Sequence, residues 1–389
     1  MTSIRVLVVD DAVIVRRLVA KALEADPEFQ VVGTASDGPL ALQKIQELSP
    51  DVVTLDLDMP EMDGLKVLAE IRRRWRSLPA VIFTGMSEPG PAELEALALG
   101  ANDCIVKVPH EGNMVHALKW VQETLGPRLK AIVAEWQLTV RSAAVPARPP
   151  APPVTAPATV AQSPGAPPAP AAPAPHASRT PPLARPPVRS TPPEVLVVAA
   201  STGGPNALEA ILADLPADFP LPVLVVQHMP VGFTALLAER LRSRCRLDAR
   251  EAESGIPVAP GTIWVAPADR HLVVQRVGSF VHLQLNREAP ENSCRPAADP
   301  LFRSAAKAWG PGVLGVVLTG MGQDGMLGAG ALVAAGGTVL AQDEATSVVW
   351  GMPGAVVRAG HAAAVLPLGA IAPEILRRTL ALRRAAAPA

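Results

Sequence analysis

Short apolar runs that alternate with amphipathic stretches constrain the fold of this 389-residue chain more than any other feature. In the first part of the chain, the runs typical of β-strands are residues 4–9, 30–34, 52–55, 80–83 and 103–106. The stretches with helical periodicity are residues 13–25, 39–48, 65–75, 92–99 and 114–125. Strands that alternate with helices predict a doubly wound α/β domain with a five-stranded parallel sheet.

Residues 141–193 separate this first block from a second one. They contain 18 of the 43 prolines, five arginines and no acidic residue. Such a composition cannot bury a core and predicts an extended, polyproline-like linker, with a plain spacer favoured over a proline-motif docking site. After the linker the alternation resumes, with a meander-like pair at 271–275 and 281–285, and predicts a second, mainly parallel α/β domain. The predicted division is 1–125, 126–193 (the end of a helix and the linker) and 194–380.

The composition excludes several classes of protein. A formal net charge of −1 argues against a generally basic nucleic-acid binder. The three cysteines, Cys104, Cys245 and Cys294, are too few and too scattered for a disulfide framework or a thiolate zinc site. The first residues lack the pattern of a secretion signal, and the charge-free stretch 325–342 indicates a helix and a strand better than a membrane span. We expect a cytoplasmic protein without membrane insertion.

Five polar residues lie at the carboxyl ends of the strands in the first block. Asp10 and Asp11 follow the first strand, Asp56 the third, Thr84 the fourth and Lys107 the fifth. Because parallel strands end at one edge of the sheet, these side chains should meet there. Adjacent carboxylates repel unless a hard cation such as Mg²⁺ joins them. Asp56 could then attack a phosphoryl donor, while Lys107 and Thr84 stabilise the phosphoryl oxygens. Solvated strand ends and a helix cap are the alternative, which five matching positions disfavour.

The first block resembles the response-regulator receiver domain over residues 1–125. The resemblance is carried by Val8-Val9-Asp10-Asp11, Leu55-Asp56-Leu57-Asp58-Met59-Pro60-Glu61-Met62-Asp63-Gly64, Thr84-Gly85 and Lys107. It implies a flavodoxin-like sheet, phosphorylation of Asp56 by a histidine kinase, and Mg²⁺ held by Asp10, Asp11 and Asp56. Two positions differ from the family: Val108 separates Lys107 from the next proline, and Cys104 stands where an aromatic switch residue is common.

In the second block, Ser201, His228 and Asp324 each come after an apolar run, at or near a glycine-rich turn. A hydroxyl, an imidazole and a carboxylate at one sheet edge are the parts of a nucleophilic hydrolase. Ser201 would attack, His228 would accept its proton, and Asp324 would orient the imidazole. Backbone N–H groups of the loop before Asp324, Met321 in particular, could face the oxyanion.

The same residues allow other interpretations. Ser201-Thr202-Gly203-Gly204 could be a phosphate-binding turn, but the chain lacks the GxxxxGK[ST] and GxGxxG patterns. Asp269, Asp299 and Asp343 are rival carboxylates for the histidine, and only its place at the strand edge separates Asp324 from them.

The second block resembles the catalytic domain of the chemotaxis protein-glutamate methylesterases over residues 194–375. The resemblance is carried by Ala200-Ser201-Thr202-Gly203-Gly204-Pro205, Gln227-His228-Met229-Pro230, Ala266-Pro267-Ala268-Asp269-Arg270-His271, Leu318-Thr319-Gly320-Met321-Gly322-Gln323-Asp324-Gly325 and Trp350-Gly351-Met352-Pro353. It implies Ser201 as nucleophile, His228 as base, Asp324 as its partner and the Met321 main chain at the oxyanion. The implied reaction is hydrolysis of glutamyl methyl esters on the cytoplasmic helices of chemoreceptors, without a cofactor. Related enzymes also deamidate receptor glutamines.

A receiver domain joined to a hydrolase suggests regulation. We expect the unphosphorylated receiver to pack over the Ser201 edge and restrict access, and phosphorylation of Asp56 to favour an open arrangement. Two alternatives stay open at this point: a regulator that acts by binding alone, and a hydrolase for a different acyl substrate. A DNA-binding output domain is the weakest, because no basic recognition helix is evident.

Overall fold

The structure is a computed structural model that describes residues 3–85, 90–107, 114–144 and 191–386. Most of the predicted proline-rich linker, residues 145–190, lies outside the described residues. The predicted domain limits therefore stay predictions. Across the described ranges, no helix combines the length and the apolar character needed to cross a lipid bilayer.

The N-terminal domain is a five-stranded parallel sheet with helices packed against it, as predicted. Its strands are β1 (Ile4–Val9), β2 (Phe29–Ala35), β3 (Val52–Leu55), β4 (Ala80–Thr84) and β5 (Asp103–Val106), in the order β2-β1-β3-β4-β5. Its first helices are α1 (Val13–Glu24), α2 (Gly38–Leu48), α3 (Gly64–Arg74), α4 (Pro91–Leu99) and α5 (Met114–Trp120). Every residue of β3 and β4 is buried, which explains why these strands are continuous apolar runs in the sequence.

Aspartate side chains cap the N-termini of two of these helices, α2 and α3, close to their predicted starts. The Asp37 side chain accepts a hydrogen bond from the Leu40 amide at 2.9 Å, and Asp63 accepts one from the Lys66 amide at 2.9 Å. Both are N-cap carboxylates, which satisfy amides that the first helical turn leaves unpaired.

Helical structure continues well beyond residue 125. A single π-helical turn, Val121–Leu125, follows α5, and α6 then runs over Gly126–Ala144. Leu125, Leu129 and Val133 recur every four residues and are all buried in the core of the N-terminal domain. This apolar stripe explains why the first part of α6 packs on the N-terminal domain instead of joining an extended linker.

The C-terminal domain contains a seven-stranded, fully parallel sheet and a separate antiparallel hairpin, so a mainly parallel α/β fold is confirmed. The sheet strands are β6 (Val195–Ala200), β7 (Val223–Gln227), β8 (Asp248–Glu251), β9 (Thr262–Val265), β12 (Val313–Val317), β13 (Thr338–Gln342) and β14 (Ala364–Leu366). The hairpin is β10 (His271–Val277) and β11 (Phe280–Asn286). The helices are α7 (Gly204–Leu212), α8 (Phe233–Arg244), α9 (Ala298–Trp309), α10 (Met326–Ala334), α11 (Met352–Arg358) and α12 (Leu368–Ala386), with a 3₁₀ turn at Gly310–Gly312.

Strand β6 lies at the topological switch point of this sheet. The strand order is β14-β13-β12-β6-β7-β9-β8, so the chain leaves β6 toward β7 on one side and returns through β12 on the other. Ala200 pairs with Gln227 and Ala199 pairs with Val317. The segments that follow these three strands therefore leave the sheet together, at the edge where ligands bind in open α/β folds.

The packing of α6 yields a first prediction. We expect Leu129→Ala to lower the free energy of unfolding of the N-terminal domain by about 2–5 kcal/mol, because it leaves a cavity at a fully buried site. Native-state hydrogen exchange of the receiver amides in the full chain measures this loss. Gln137→Ala, at an exposed position of α6, is the control and should stay within about 0.5 kcal/mol of the parent. Equal protection in the two variants would show that α6 does not belong to the receiver core.

Candidate active site

The predicted acidic cluster forms at the edge of the N-terminal sheet. Asp10 and Asp56 are buried, Asp11 is exposed, and one carboxylate oxygen from each lies within 4.8 Å of the others. Lys107 Nζ is 2.7 Å from Asp10 Oδ2 and 2.6 Å from Asp56 Oδ2. The Ala12 amide donates to Asp10 Oδ1 at 2.9 Å and holds that carboxylate in place.

The cluster has the donor atoms that a hard cation requires. Asp56 Oδ1 is buried and accepts no hydrogen bond from any residue that the structure describes. Burial raises the pKa of the Asp56 carboxyl, and the Lys107 ammonium group opposes that rise. A buried acceptor atom beside two further carboxylates suits Mg²⁺, which takes oxygen ligands and keeps several waters. The residues present therefore fit this metal.

Thr84 lies at the same edge, but its hydroxyl is engaged by α4. Thr84 Oγ1 donates a hydrogen bond of 2.9 Å to Glu93 Oε1, and both side chains are buried. The sequence offers no distinct signal for Glu93, because a glutamate in the first turn of a helix is ordinarily a solvated residue that favours the helix dipole. The contact couples the end of β4 to α4.

His228 and Asp324 form a hydrogen-bonded pair in the C-terminal domain. His228 Nε2 lies 2.8 Å from Asp324 Oδ2, and the Asp324 side chain is fully buried. Burial by itself would raise the pKa of Asp324, but the bond to His228 and the amides of Ala298 and Asp299 lower it below its ordinary value. Asp324 is therefore held as the anion that stabilises an imidazolium.

The other ring nitrogen of His228 faces a thiol. Nδ1 lies 3.5 Å from Cys294 Sγ. Burial disfavours the charged imidazolium, but the Cys294 sulfur and the bond to Asp324 outweigh it and raise the pKa of His228 well above 6.5. Cys294 is a contact that the sequence does not indicate, since it lies in an irregular segment between β11 and α9.

Ser201 lies at the end of the neighbouring strand. Its amide donates to Thr319 O at 3.0 Å, and the His228 amide donates to Ala200 O at 3.1 Å. The two residues therefore leave adjacent strands side by side. Among the described residues, no hydrogen bond joins the Ser201 hydroxyl to His228 in this state.

The loop that contains Met321 runs directly beside Ser201. A Cβ built on Gly320 would lie 2.8 Å from Ser201 Cβ, so the glycine backbone touches the serine. Met321 itself is buried, and Gly322 has a φ of 79°. The assignment of the Met321 main chain to the oxyanion stays a prediction.

The rival carboxylates have other partners. Asp269 pairs with Arg295 at 2.5 Å, and Asp343 accepts from the Thr346 amide at 3.0 Å. Asp299 is buried next to Asp324 and accepts from the Gly328 amide at 2.6 Å. Burial first, and then the negative charge of Asp324, raise the pKa of Asp299 to about 6.

One side chain bridges the two buried acids. Asn292 Nδ2 donates to Asp324 Oδ1 at 3.0 Å and to Asp299 Oδ2 at 3.1 Å. The backbone of Asn292 is left-handed, with a φ of 50°, which asparagine tolerates better than most residues. No sequence pattern indicates that this loop residue contacts the carboxylate partner of His228. The tertiary fold brings it there.

The N-terminal domain contacts the turn that follows Ser201. Asn102, in the loop between α4 and β5, directs Nδ2 at Thr202 Oγ1 (3.3 Å) and at Met321 Sδ (3.8 Å). The α4–β5 loop of the receiver therefore lies against two segments that flank the serine.

Helix α4 itself makes further polar contacts with the C-terminal domain. Asn206 Nδ2 donates to Ala98 O at 2.9 Å. The Arg240 guanidinium binds Glu95 at 2.9 Å and Glu209 at 2.7 Å. The same helix thus contacts Thr84 at its first turn and the neighbouring domain along its outer face.

Comparison with known proteins gives two family matches, one for each domain. Residues 6–119 match the family model of the response regulator receiver domain, and residues 196–375 match that of the CheB methylesterase. A protein-glutamate methylesterase/protein-glutamine glutaminase of a Nocardioides species is 46% identical over 391 residues, which cover 100% of this chain and 99% of that protein. One from Trichodesmium erythraeum is 40% identical and covers 97% and 99%. The solved CheB methylesterase catalytic domain of Thermotoga maritima is 42% identical, covers 48% of this chain and 99% of that chain, and gives a TM-score of 0.47. With both domain models matched in order and similarity along its whole length, the chain belongs to the CheB family of protein-glutamate methylesterases.

Proposed function

We propose that this protein hydrolyses methyl esters of glutamate side chains on chemoreceptors and releases methanol, under the control of phosphorylation at Asp56. The observation that carries the proposal is the buried His228–Asp324 pair, which lies beside Ser201 at the switch point of the catalytic sheet. We further propose that the protein acts in the cytoplasm, in chemotaxis adaptation, with a histidine kinase as its phosphodonor.

Ser201 is the proposed nucleophile. It stands just before α7, whose unpaired amides favour developing negative charge on the attacking oxygen. His228 takes the hydroxyl proton as Ser201 Oγ bonds to the ester carbonyl carbon, and the Met321 N–H stabilises the oxyanion. The carbon–oxygen bond to the methoxy group then breaks, and His228 returns the proton to methanol. Water, deprotonated by His228, hydrolyses the acyl-enzyme and leaves a glutamate carboxylate.

The imidazole has to turn for this chemistry. Its nitrogen that is not bound to Asp324 is Nδ1, and in this state Nδ1 contacts Cys294 Sγ. Proton transfer from Ser201 requires that the free ring nitrogen face the serine. We infer that this docked arrangement is a resting one, and the contacts of Asn102 with Thr202 and Met321 support that inference.

Regulation is proposed to pass through α4. A phosphoryl group on Asp56 offers Thr84 a strong acceptor that competes with Glu93. Release of Glu93 would shift α4, whose Glu95 and Ala98 bind the catalytic domain. Phosphorylation thereby changes the relative stability of docked and open states. Mg²⁺, when held by Asp10, Asp11 and Asp56, would neutralise charge on the phosphoryl oxygens.

Amide hydrolysis is proposed as a second activity of the same site. A glutamine side chain presents the same acyl carbon with an NH₂ leaving group, to which His228 would return the proton so that ammonia departs. The curated relatives carry both activities in their names.

The first functional prediction concerns the nucleophile. Ser201→Ala should reduce methanol release from methylated receptor membranes by about 10⁴-fold or more, because the acyl-enzyme cannot form. Ser243→Ala, at an exposed position of α8, is the matched control and should retain activity. Retained release in Ser201→Ala would remove the serine from the mechanism. Release from neither the parent nor any variant would favour a protein that acts by binding or on a different acyl substrate.

A second prediction concerns the phospho-acceptor. Asp56→Asn should abolish the increase in methylesterase rate caused by a small-molecule phosphodonor such as acetyl phosphate, since the amide cannot form the acyl phosphate. Asp58→Asn, two residues away and exposed, should keep the response. A full response in Asp56→Asn would contradict phosphorylation at this residue.

A third prediction concerns pH. Only neutral imidazole accepts the serine proton, so activity should fall as the pH falls through the pKa of His228. Because that pKa is raised, we expect the acid limb of the kcat/KM profile to have its midpoint above pH 6.5. A midpoint at or below 6.5 in the parent protein would show that another group controls the limb.

A further inference from the structure

Helix α6 brings a carboxylate from the N-terminal side of the molecule into the active site. Glu135 is the only acidic residue among the 19 of this helix. Leu129 and Val133 bury the opposite side of α6 in the receiver core, so the helix is anchored there. The Glu135 side chain is half-buried and extends toward the catalytic loop.

The carboxylate lies against the backbone of Gly322, the residue after Met321. A Cβ at Gly322 would overlap Glu135 Oε1 and would lie 2.9 Å from Glu135 Cδ. Because the φ of Gly322 is also 79°, the position requires glycine on both counts. Glu135 is thus packed against the loop proposed to stabilise the oxyanion.

The Glu135 carboxylate, in contact with the loop at Gly322, also interacts electrostatically with His228 and Asp324. Burial raises the pKa of Glu135, the charge of His228 opposes that rise, and the charge of Asp324 adds to it. Holding one carboxylate near another buried carboxylate costs folding free energy, so stability does not explain this arrangement. The presence of Glu135 in contact with the catalytic loop points to a role at the site.

We propose that Glu135 occupies the subsite for the substrate's glutamyl side chain, so that α6 is an internal analogue of the reaction product. This inference rests on the proposed function, in which the product is a glutamate side chain carried on a helix of a receptor. Glu135 is chemically that same group, and it is likewise presented by a helix. The subsite therefore takes a helix-borne glutamyl side chain, with its ester or carboxylate against Gly322.

A tethered analogue competes with substrate at a high effective concentration. A receptor ester must displace Glu135 before it reaches Ser201, and any event that withdraws α6 opens the site. Helix α6 would then lower the activity of the unphosphorylated protein independently of the α4 contacts.

The test compares the full-length parent with Glu135→Ala and Glu135→Met, all unphosphorylated. The rate of Ser201 labelling by a fluorophosphonate probe and kcat/KM for methylated receptor membranes should both rise in Glu135→Ala, within the range of about 5- to 150-fold typical of coupled sites. Glu135→Met keeps the approximate length of the side chain but carries no carbonyl group, so it should also be faster, which guards against a helix that fails to form. The control is Glu123→Ala, whose side chain is 65% exposed, and it should match the parent.

A synthetic peptide of residues 126–144 distinguishes two explanations for a faster Glu135→Ala variant. Either Glu135 competes with the substrate as a product analogue, or the substitution merely loosens the contact between α6 and the catalytic loop. The peptide should inhibit Glu135→Ala competitively, raising KM without changing kcat, and the same peptide with alanine at position 135 should not inhibit. Unchanged labelling in both Glu135 variants, or equal inhibition by the two peptides, would overturn the inference even while methanol release upholds the proposed function. Faster labelling in Glu135→Ala with no methanol release from any variant would instead refute the substrate and keep the subsite for another acyl group.

Discussion

The hydrogen bonds to the buried carboxylate of Asp324 are the interaction on which the arrangement of the catalytic domain depends. Its carboxylate is fully buried, and an unpaired charge in such a position would cost several kcal/mol. Hydrogen bonds reach it from His228, Asn292, Ala298, Asp299 and Gly325. These partners belong to the end of β7, the segment before α9, the first turn of α9 and the loop after β12. One carboxylate therefore fixes the relative positions of the four segments that build the site.

The same network explains the orientation of the imidazole. Burial alone would raise the pKa of Asp324, but the bond to His228 and then the amides of Ala298 and Asp299 lower it, so the carboxylate remains a strong acceptor for His228. Asp299 lies beside it, and burial first, then the negative charge of Asp324, raise its pKa to about 6. The two carboxyl groups therefore differ in charge because their surroundings differ: Asp324 stays ionised and bound to His228, while Asp299 is more easily protonated.

Two parts of the receiver reach the catalytic edge by different routes. The α4 side meets it through polar contacts at Asn102, Ala98 and Glu95, and α4 is also bonded to Thr84 at the phosphorylation edge. Helix α6 meets it through Glu135. The first route connects the proposed catalytic site to the acidic cluster around Asp56, while the second places a carboxylate against the loop that contains Met321. The Arg240–Glu95 ion pair is only partly buried, and ion pairs that water still reaches add little stability.

The strand ends were predictable from sequence, because parallel strands share one edge whatever their order. That rule alone brought Asp10, Asp56 and Lys107 together, and it placed Ser201 beside His228. The end of the receiver was less predictable. Gly126-Pro127 is a typical helix stop, yet a π-turn and the buried Leu129 carry the helix onward. The sequence by itself determined the two α/β domains and the residues that leave their strands. Only the tertiary structure decided that four further residues lie at the two sites, namely Asn292, Cys294, Glu93 and Glu135. Their contacts join loops and helices that are far apart in the sequence, and no periodic pattern along the chain predicts which of them meet.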